Sequence, residues 1–511
     1  MPPYEWWFSR NNDRELKLWT ARSSKQFRIR RGDEDMSDIS RNAGPSSTVA
    51  NAAQQPSFEN GMDRRQLLRE GAPWIGGVLG TGLLGLDVPR AMAEAVARSN
   101  ASLPIGHPAT KRWIEQRWVL DNIIQANGVD WDQPRSQYWN AVCGIQAAAD
   151  FVRIRQRVKK YADISIEFED IARRREKRAR EAEAAGQTVS ARENYFIAAI
   201  HWGAAQWPID EANELNRQYN QNKRYCFGRY AKLADHHVEE VWIPFGSKAL
   251  PGWFHLPVGY AGGQIPVVVT IPGMDSFKEA NVAMYGDSLL NRGFGVLAVD
   301  GPGQYESPLL GIYMTIENWE ATGRACMEWL LRRPEVDPQL VAISGRSFGS
   351  FATTLAASNE PRFRAVAVSA TCFEPGFGTI FEEASPTFKM RFMFMANISD
   401  ETAFDEFAKT LTWEGRAEKI HMPFLCIAGG SDELSPIENT MRLFGALPGP
   451  RQVVIYEESR HSVGGGVSSA MLGPDITALA ANWLAARFSG QAFQSERWFV
   501  NNEGIVTRSP I

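Results

Sequence analysis

The stretch Val341-Ala342-Ile343-Ser344-Gly345-Arg346-Ser347-Phe348-Gly349 decides the fold class of this 511-residue chain. It joins an apolar β-type run to the pattern Gly-x-Ser-x-Gly, and the helix-forming run 351–357 follows directly. The pattern alone is common, but at a strand-to-helix junction it is typical of a nucleophile elbow. The flanking glycines let strand and helix approach closely while the serine hydroxyl projects from a strained turn. We therefore predict that Ser347 is a catalytic nucleophile.

Two residues after the elbow have the chemistry and the position to activate it. A serine hydroxyl needs a base, and the base needs a group that orients it. Around such an elbow the acid and then the histidine follow the nucleophile, each just past a strand. Asp432 and His461 each follow a short apolar run, whereas His421, the other histidine after Ser347, precedes one. We predict Asp432 and His461 as the partners of Ser347, with Glu433 as the nearest alternative to Asp432. A structural role for His461 is the weaker interpretation.

Attack on a carbonyl also requires hydrogen-bond donors aimed at the oxyanion that develops. One donor in this arrangement is the main-chain N–H of the residue after the nucleophile, which here is Phe348. The second lies in the loop after the third strand, and that loop reads Ile271-Pro272-Gly273-Met274-Asp275-Ser276. We predict the main-chain N–H groups of Met274 and Phe348 as the oxyanion hole.

Short β-rich runs alternate with helical segments after position 237, which is typical of a mostly parallel sheet covered on both faces. Helices are predicted between them, for example over 316–332 and 475–488. The predicted fold is α/β, an α/β-hydrolase fold with a mostly parallel eight-stranded sheet. The eight predicted strands are 238–244, 250–256, 266–271, 295–300, 340–344, 365–369, 423–428 and 452–456.

The chain before the sheet divides into three parts. Residues 1–61 show little apolar periodicity and are interpreted as disordered or as a mis-annotated extension. Residues 62–93 combine Arg64-Arg65, a Gly-rich apolar run and Ala-Met-Ala, which resembles a twin-arginine signal peptide. This pattern predicts export to the periplasm or the cell exterior. If the segment is instead a retained amphipathic helix, the protein is cytoplasmic.

Residues 94–237 are predicted as a helical cap domain because they lack strand-like alternation. Residues 238–490 are predicted as the catalytic domain, and residues 491–511 as a polar C-terminal tail whose aromatic residues pack back on the core.

Composition excludes several classes of partner. Lys and Arg number 55 against 59 Asp and Glu, so the formal charge of −4 provides no basic field for nucleic acid. The five cysteines are scattered without a metal-ligand spacing, which argues against a disulfide scaffold and a structural zinc site. We expect neither a metal nor an organic cofactor. The only long apolar stretch lies near the N-terminus and is interrupted by Gly, Pro and Asp, so we expect no membrane span in the mature chain.

Two further motifs carry a resemblance to a known group. Residues 272–279 read Pro-Gly-Met-Asp-Ser-Phe-Lys-Glu, and residues 300–307 read Asp-Gly-Pro-Gly-Gln-Tyr-Glu-Ser. With the elbow, they resemble the α/β-hydrolases that include 2,6-dihydroxypseudooxynicotine hydrolase, the fermentation-respiration switch esterases and the fungal polyketide-shortening hydrolases. The resemblance covers about residues 110–489. Pro272 and Tyr305 stand where this group typically has glycine, so no relative's substrate is transferred to this chain.

The resemblance implies a helical cap over Ser347 and cleavage of a small carbonyl substrate. The leading hypothesis is hydrolysis of a carboxylic ester, and the alternative is C–C hydrolysis of a β-dicarbonyl or aryl ketone. A non-catalytic binding protein on the same fold and an acyltransferase remain open. A homodimer is a further expectation from the group.

Four features around the motifs have two interpretations each. The Phe- and Met-rich segment 373–420 either adds to the cap, which would favour a hydrophobic or aromatic acyl substrate, or simply packs on the core. Asp300 and Glu306 are interpreted as structural rather than as extra acids. Asp275 is interpreted as fixing the oxyanion loop, with substrate contact as its alternative.

Overall fold

The structure is a computed structural model. The predicted extension 1–61 and the predicted signal 62–93 lie outside the described residues, so both stay predictions. All described residues belong to one compact unit. The structure describes residues 111–281, 283, 287–462 and 472–511.

The first part of the described chain, residues 111–233, is helical, and among the described residues the first strand begins at Val238. Helix α5 packs against both α4 and α6. Large side chains fill this helical region, with Trp139, Phe168 and Trp202 fully buried. Asn213 caps α6 because its side chain accepts a hydrogen bond from the Asn216 N–H. The helices are α1 Lys111–Asn127, α2 Arg135–Cys143, α3 Ala148–Arg157, α4 Asp163–Ala184, α5 Thr188–Gln206 and α6 Glu214–Leu233.

The rest of the chain forms one sheet, in the order β1-β2-β4-β3-β5-β6-β7-β8-β9-β10. Strands β3 to β9 pair in parallel wherever they are neighbours, while β1, β2 and β10 pair antiparallel. The strands are β1 Val238–Phe245, β2 Lys248–His255, β3 Ile265–Ile271, β4 Gly295–Val299, β5 Val336–Arg346, β6 Val366–Ser369, β7 Phe424–Gly429, β8 Arg451–Tyr456, β9 Glu496–Val500 and β10 Val506–Pro510.

The eight strands predicted from the sequence are all present, and the α/β-hydrolase fold class is confirmed. The central strands are apolar on both faces because helices cover both sides of the sheet. Consecutive residues Val267, Val268 and Val269 of β3 are each fully buried. The crossovers bring the carboxyl ends of β3, β5, β7 and β8 to one edge of the sheet, where the loops that carry the predicted site residues begin.

The sheet has ten strands rather than the eight predicted, because residues 491–511, predicted as a polar tail, contain two more. The predicted packing of the tail's aromatic residues on the core is seen at Trp498. This segment forms the hairpin β9–β10, and β9 extends the sheet in parallel beside β8. Val500 of β9 is fully buried, whereas the following strand is mostly exposed. The sequence misleads here because β9 is short and begins with the charged residues Glu496 and Arg497, so it shows no apolar alternation.

The sheet is flanked by helices that begin where the strands end. The helices predicted over 316–332 and 475–488 are observed as Ile316–Leu330 and Ile476–Phe488. The helices are α7 Lys278–Asn281, α8 Asp287–Leu290, α9 Glu306–Leu309, α10 Ile316–Leu330, α11 Phe348–Ser358, α12 Pro386–Ala396, α13 Glu401–Ala408, α14 Ile437–Ala446 and α15 Ile476–Phe488.

None of the helices in the described part of the chain combines the length and the hydropathy that a bilayer span requires. The five cysteines are buried free thiols.

Candidate active site

Ser347 occupies the sharp turn between β5 and α11. Its backbone has φ 56° and ψ −131°, a left-handed conformation that a non-glycine residue adopts only where the surroundings enforce it. A Cβ atom on Gly345 would lie 2.1 Å from the Gly349 carbonyl oxygen, and one on Gly349 would lie 2.4 Å from the Ile271 carbonyl oxygen. Both glycines are therefore required by close backbone approach, which is the geometry predicted from the motif.

His461 lies between Ser347 and Asp432. Its Nε2 atom is 2.8 Å from the Ser347 Oγ, and its Nδ1 atom is 2.9 Å from Oδ2 and 3.1 Å from Oδ1 of Asp432. The Asp432 carboxylate also accepts hydrogen bonds from the N–H groups of Leu434 and Ser435. These bonds fix the carboxylate, and the carboxylate in turn fixes the tautomer and direction of the imidazole.

Glu433, the alternative to Asp432 in the sequence analysis, contacts the main chain of His461 rather than its imidazole ring. Its Oε2 atom accepts a hydrogen bond from the main-chain N–H of His461, at 3.0 Å. Asp432 is the carboxylate that meets the imidazole ring. The two neighbouring acids thus hold the same histidine at two different points.

The environment of His461 changes its basicity. Burial lowers the pKa of His461, but the charge and hydrogen bond of Asp432, with a further contribution from Glu433, outweigh burial and raise the pKa above its ordinary value. Arg346 opposes this increase because its positive charge lowers the same pKa. A histidine with this balance accepts a proton from a neighbouring hydroxyl more readily than a free imidazole does.

The main-chain N–H groups of Phe348 and Met274 have no hydrogen-bond acceptor among the described residues. Phe348 begins α11, so its N–H has no partner within the helix. Met274 lies in the loop after β3, and its N–H donates to no described residue. A Cβ on Gly273 would lie 3.6 Å from the Ser347 Oγ, so this loop runs directly against the nucleophile. The structure thus places the loop that carries Met274 against Ser347, and Phe348 directly follows Ser347 in the chain.

The Phe-rich segment after β6 packs against the nucleophile's helix. The ring of Phe392 in α12 lies 5.1 Å from that of Phe348, in an edge-to-face arrangement. Phe377 contacts both Phe351 and Phe392, and all of these rings are buried in the core. These contacts favour the packing interpretation of the segment.

Asp300 and Glu306 belong to a buried charge cluster with Lys278 and Glu279. The Lys278 Nζ atom lies 2.7 Å from a Glu306 oxygen, 3.0 Å from a Glu279 oxygen and 3.3 Å from an Asp300 oxygen. The other Asp300 oxygen accepts from the Lys278 N–H, at 2.7 Å, and so caps α7. Burial raises the pKa of Asp300 to about 6, against the opposing charges of Lys278 and Lys223. The ion pairs of Asp300 and Glu306 with Lys278 support the structural interpretation of both acids.

Three residues of the helical region reach the catalytic loops, and sequence analysis missed all of them. The Tyr138 hydroxyl donates to a carboxylate oxygen of Asp275, at 2.8 Å, and the Arg135 Nε lies 3.2 Å from the same oxygen. The Gln133 side-chain amide lies 3.5 Å from a Glu433 oxygen. No local motif signals these contacts, because Tyr138 and Asp275 are 137 positions apart.

Within the part of the chain that the structure describes, no group of three or more His, Cys, Asp and Glu side chains is arranged to hold a metal ion.

Comparison with known proteins gives relatives among hydrolases. Residues 287–490 match the model of the prolyl oligopeptidase family, peptidase S9. The chain is 30% identical over 203 residues to the α/β hydrolase xenA of Xenoacremonium sinensis, which is 38% of this chain and 48% of that protein. It is 30% identical over 208 residues to the 20-hydroxy-prefusarin hydrolase FUS2 of Gibberella moniliformis, which is 39% of this chain and 49% of that protein. The chain spans about half the length of the curated relatives it matches.

Two solved structures have a similar fold. The crystal structure of the 2,6-dihydroxy-pseudo-oxynicotine hydrolase has a TM-score of 0.58 at 20% identity, covering 69% of this chain and 96% of that one. Wild-type AbyA5 has a TM-score of 0.52 at 14% identity, covering 75% and 95%. At these identities the likeness shows the fold alone. The resemblance that the sequence motifs predicted is confirmed, and the chain has the α/β-hydrolase fold.

Proposed function

We propose that this α/β-hydrolase-fold chain is a serine hydrolase that cleaves a carboxylic ester, or a related carbonyl substrate, through an acyl-enzyme. The observation that carries the proposal is the position of His461, within hydrogen-bond distance of both the Ser347 hydroxyl and the Asp432 carboxylate. The similarity to proteins named hydrolases supports it.

The proposed mechanism begins with the proton of Ser347. As the Ser347 Oγ attacks the substrate carbonyl, His461 Nε2 accepts the hydroxyl proton, and Asp432 stabilises the imidazolium that forms. The N–H groups of Phe348 and Met274 donate to the oxyanion, which is a charge absent from the ground state. His461 then returns the proton to the leaving group. In the second half, water attacks the acyl-enzyme while His461 accepts its proton, and His461 returns that proton to the Ser347 oxygen.

The test is covalent labelling of the full chain with a fluorophosphonate, followed by peptide mapping, with hydrolysis of p-nitrophenyl butyrate measured in parallel. We expect one label, on Ser347, and we expect Ser347→Ala to lose both the label and the hydrolysis. Ser489→Ala is the matched control, because Ser489 is exposed at the end of α15. A Ser347→Ala variant that keeps its hydrolysis would overturn the proposal. A folded protein that takes no label would favour a binding protein.

C–C hydrolysis is the second candidate. It is kept because the sequence motifs resemble a group that includes 2,6-dihydroxypseudooxynicotine hydrolase, whose crystal structure has a similar fold. The same nucleophile would form the acyl-enzyme, but the leaving group would be a carbanion that must be protonated on carbon. Mass spectrometry of the products with paired ester and ketone substrates distinguishes the two: an ester releases an alcohol, and a ketone releases a C–H fragment.

The remaining proposals concern the substrate's surroundings and the protein's location. An apolar or aromatic small-molecule substrate is kept as a proposal from the sequence. Export through residues 62–93 and assembly into a homodimer are kept as proposals. Fractionation of cells that carry an Arg64→Lys, Arg65→Lys variant tests the first, and light scattering of the purified chain tests the second.

A further inference from the structure

Asp275 follows the oxyanion residue Met274 directly, and three side chains hold it. Tyr138 donates its hydroxyl hydrogen to the Asp275 Oδ2, at 2.8 Å, and the Arg135 Nε lies 3.2 Å from the same oxygen. From the other side, the Tyr305 hydroxyl donates to the Asp275 main-chain carbonyl, at 3.2 Å. Both the side chain and the main chain of Asp275 are thereby restrained.

We propose that Tyr138 is a positioning residue that sets the direction of the Met274 N–H by holding Asp275. This inference rests on the proposed function, because it assigns a role in binding the oxyanion of that reaction. Tyr138 belongs to the helical region, so part of the catalytic geometry is supplied from outside the sheet domain.

The loop needs such support because few of its own contacts fix it. The Gln304 side-chain amide donates to the Pro272 carbonyl, at 2.6 Å, which anchors the start of the loop. Beyond this point the loop has the Ser276 N–H bond to the Gly273 carbonyl, which is long at 3.4 Å. The N–H of Met274 lies between these two contacts. An oxyanion donor stabilises the transition state most when it is already aimed before the reaction, so restraint of the next residue contributes directly to its effect.

The anchor that holds Asp275 is itself rigid. Arg135 is fully buried and forms an ion pair with Asp132. Its guanidinium group lies 4.1 Å from the centre of the Trp207 ring and 4.9 Å from that of Trp131. Cation–π contacts on two sides and a paired carboxylate leave the guanidinium little freedom. Tyr138 lies one helical turn after Arg135 in α2, so the position of its side chain is fixed by the same contacts.

Tyr305 also restrains Asp275, and it does so from an unusual backbone conformation. Its φ of 33° is left-handed, a conformation that costs a tyrosine free energy. The ring packs 4.8 Å from that of Phe277, and the hydroxyl holds the Asp275 carbonyl. A glycine at position 305 would remove the strain but also both contacts. The tyrosine thus adds a support to the oxyanion loop that a glycine would lack.

The first experiment compares Tyr138→Phe with the wild type on p-nitrophenyl butyrate. Loss of one oxyanion donor costs about 10²–10³-fold in kcat. A Met274 N–H that is no longer held towards the oxyanion should lose part of its stabilising effect. We therefore expect kcat to fall roughly tenfold with KM nearly unchanged. Tyr195→Phe is the matched control, because the Tyr195 hydroxyl donates to Glu183 within the helical region, at 2.8 Å. We expect the control to keep wild-type kcat. An unchanged kcat in Tyr138→Phe, or a raised KM with constant kcat, would overturn the proposal.

The second experiment is a double-mutant cycle that tests whether Tyr138 acts through Asp275. Asp275→Ala removes the acceptor, so adding Tyr138→Phe to it should cause no further loss of kcat. Asp275→Asn keeps an oxygen acceptor and should recover most of the activity. The acid limb of the pH profile should stay in place in all these variants, because none of them touches His461. Losses that multiply in the double variant would overturn the proposal.

These outcomes are distinct from a failure of the proposed function. If Ser347→Ala retains hydrolysis, the proposed function fails. If Ser347→Ala is inactive and Tyr138→Phe is fully active, only the positioning role fails.

Discussion

The Glu433 carboxylate accepts a hydrogen bond from the main-chain N–H of His461, at 3.0 Å, while the neighbouring Asp432 carboxylate meets the imidazole ring. Adjacent acids of the same chemical type therefore restrain one histidine differently. Only the contact with the ring changes which imidazole nitrogen carries the proton. This division leads to different expectations for the two acids.

Asp432→Asn should reduce kcat far more than Glu433→Gln. The first variant removes the charge that stabilises the imidazolium and changes the tautomer of His461, which costs about 10⁴-fold in kcat in a serine–histidine–aspartate triad. The second keeps an oxygen that accepts from the His461 N–H, so a much smaller loss is expected. Steady-state kinetics on p-nitrophenyl butyrate checks both, and equal losses would contradict the assignment of Asp432.

The acid limb of kcat/KM should lie at a higher pH than for an unperturbed histidine, whose pKa is about 6.5. Catalysis needs neutral His461, and its pKa is raised because Asp432 and Glu433 outweigh the effect of burial. His461 therefore stays protonated to a higher pH than a free imidazole, and activity appears only above the raised pKa of His461. In Asp432→Asn, His461 is still buried but no longer faces the negative charge of residue 432, so its pKa falls. The residual activity should therefore have an acid limb shifted to lower pH. A limb that does not move would contradict this.

Gly349→Ala should lower both stability and kcat. The new Cβ would lie 2.4 Å from the Ile271 carbonyl oxygen and 2.6 Å from that of Pro272, so the oxyanion loop must shift. Such overpacking costs about 1–3 kcal/mol of unfolding free energy. Gly445→Ala is the control, because nothing lies within 4 Å of its Cβ and alanine favours a helix by up to about 1 kcal/mol. Urea unfolding and kcat are measured together. Equal behaviour of the two variants would be inconsistent with the elbow's close packing.

Lys278→Met should destabilise the fold strongly. Lys278 is 1% exposed and pairs with three buried carboxylates, which the variant would leave without this cation. Removing one partner of a buried ion pair costs about 3–5 kcal/mol. Lys409→Met, at an exposed ion pair with Glu406, should change stability by less than about 0.5 kcal/mol. Urea midpoints provide the comparison, and a loss below about 1 kcal/mol for Lys278→Met would refute a structural role for the cluster.

Val500→Asp should destabilise the protein although it lies close to the C-terminus. Val500 is fully buried in β9 beside Tyr456 of β8, so the variant buries a carboxylate without a partner. A loss of about 3 kcal/mol or more is expected. Thr507→Asp, at an exposed position of β10, should behave as the wild type. If thermal unfolding shows equal midpoints for the two variants, β9 contributes little to the sheet.

Local sequence patterns were sufficient for most of the sheet and for the candidate nucleophile. Apolar runs of four to eight residues predicted eight strands, since a strand buried on both faces must be apolar along its length. Ser347 was identifiable because the glycines at 345 and 349 are needed within a few positions of it. No strand was predicted at β9, where the short run 496–500 begins with the charged residues Glu496 and Arg497.

The sequence by itself thus determined the fold class, the turn at Ser347 and the chain order of Ser347, Asp432 and His461. Each is marked by a short local pattern, either the Gly-x-Ser-x-Gly motif or a polar residue just past an apolar run. The tertiary structure alone decided how Asp432 and Glu433 divide their contacts with His461. It alone brought Tyr138 to Asp275, across 137 positions, and Gln133 to Glu433, across 300 positions. Such contacts depend on how the helical region docks against the loops of the sheet, and docking arises from the packing of whole surfaces, which leaves no local pattern in the chain.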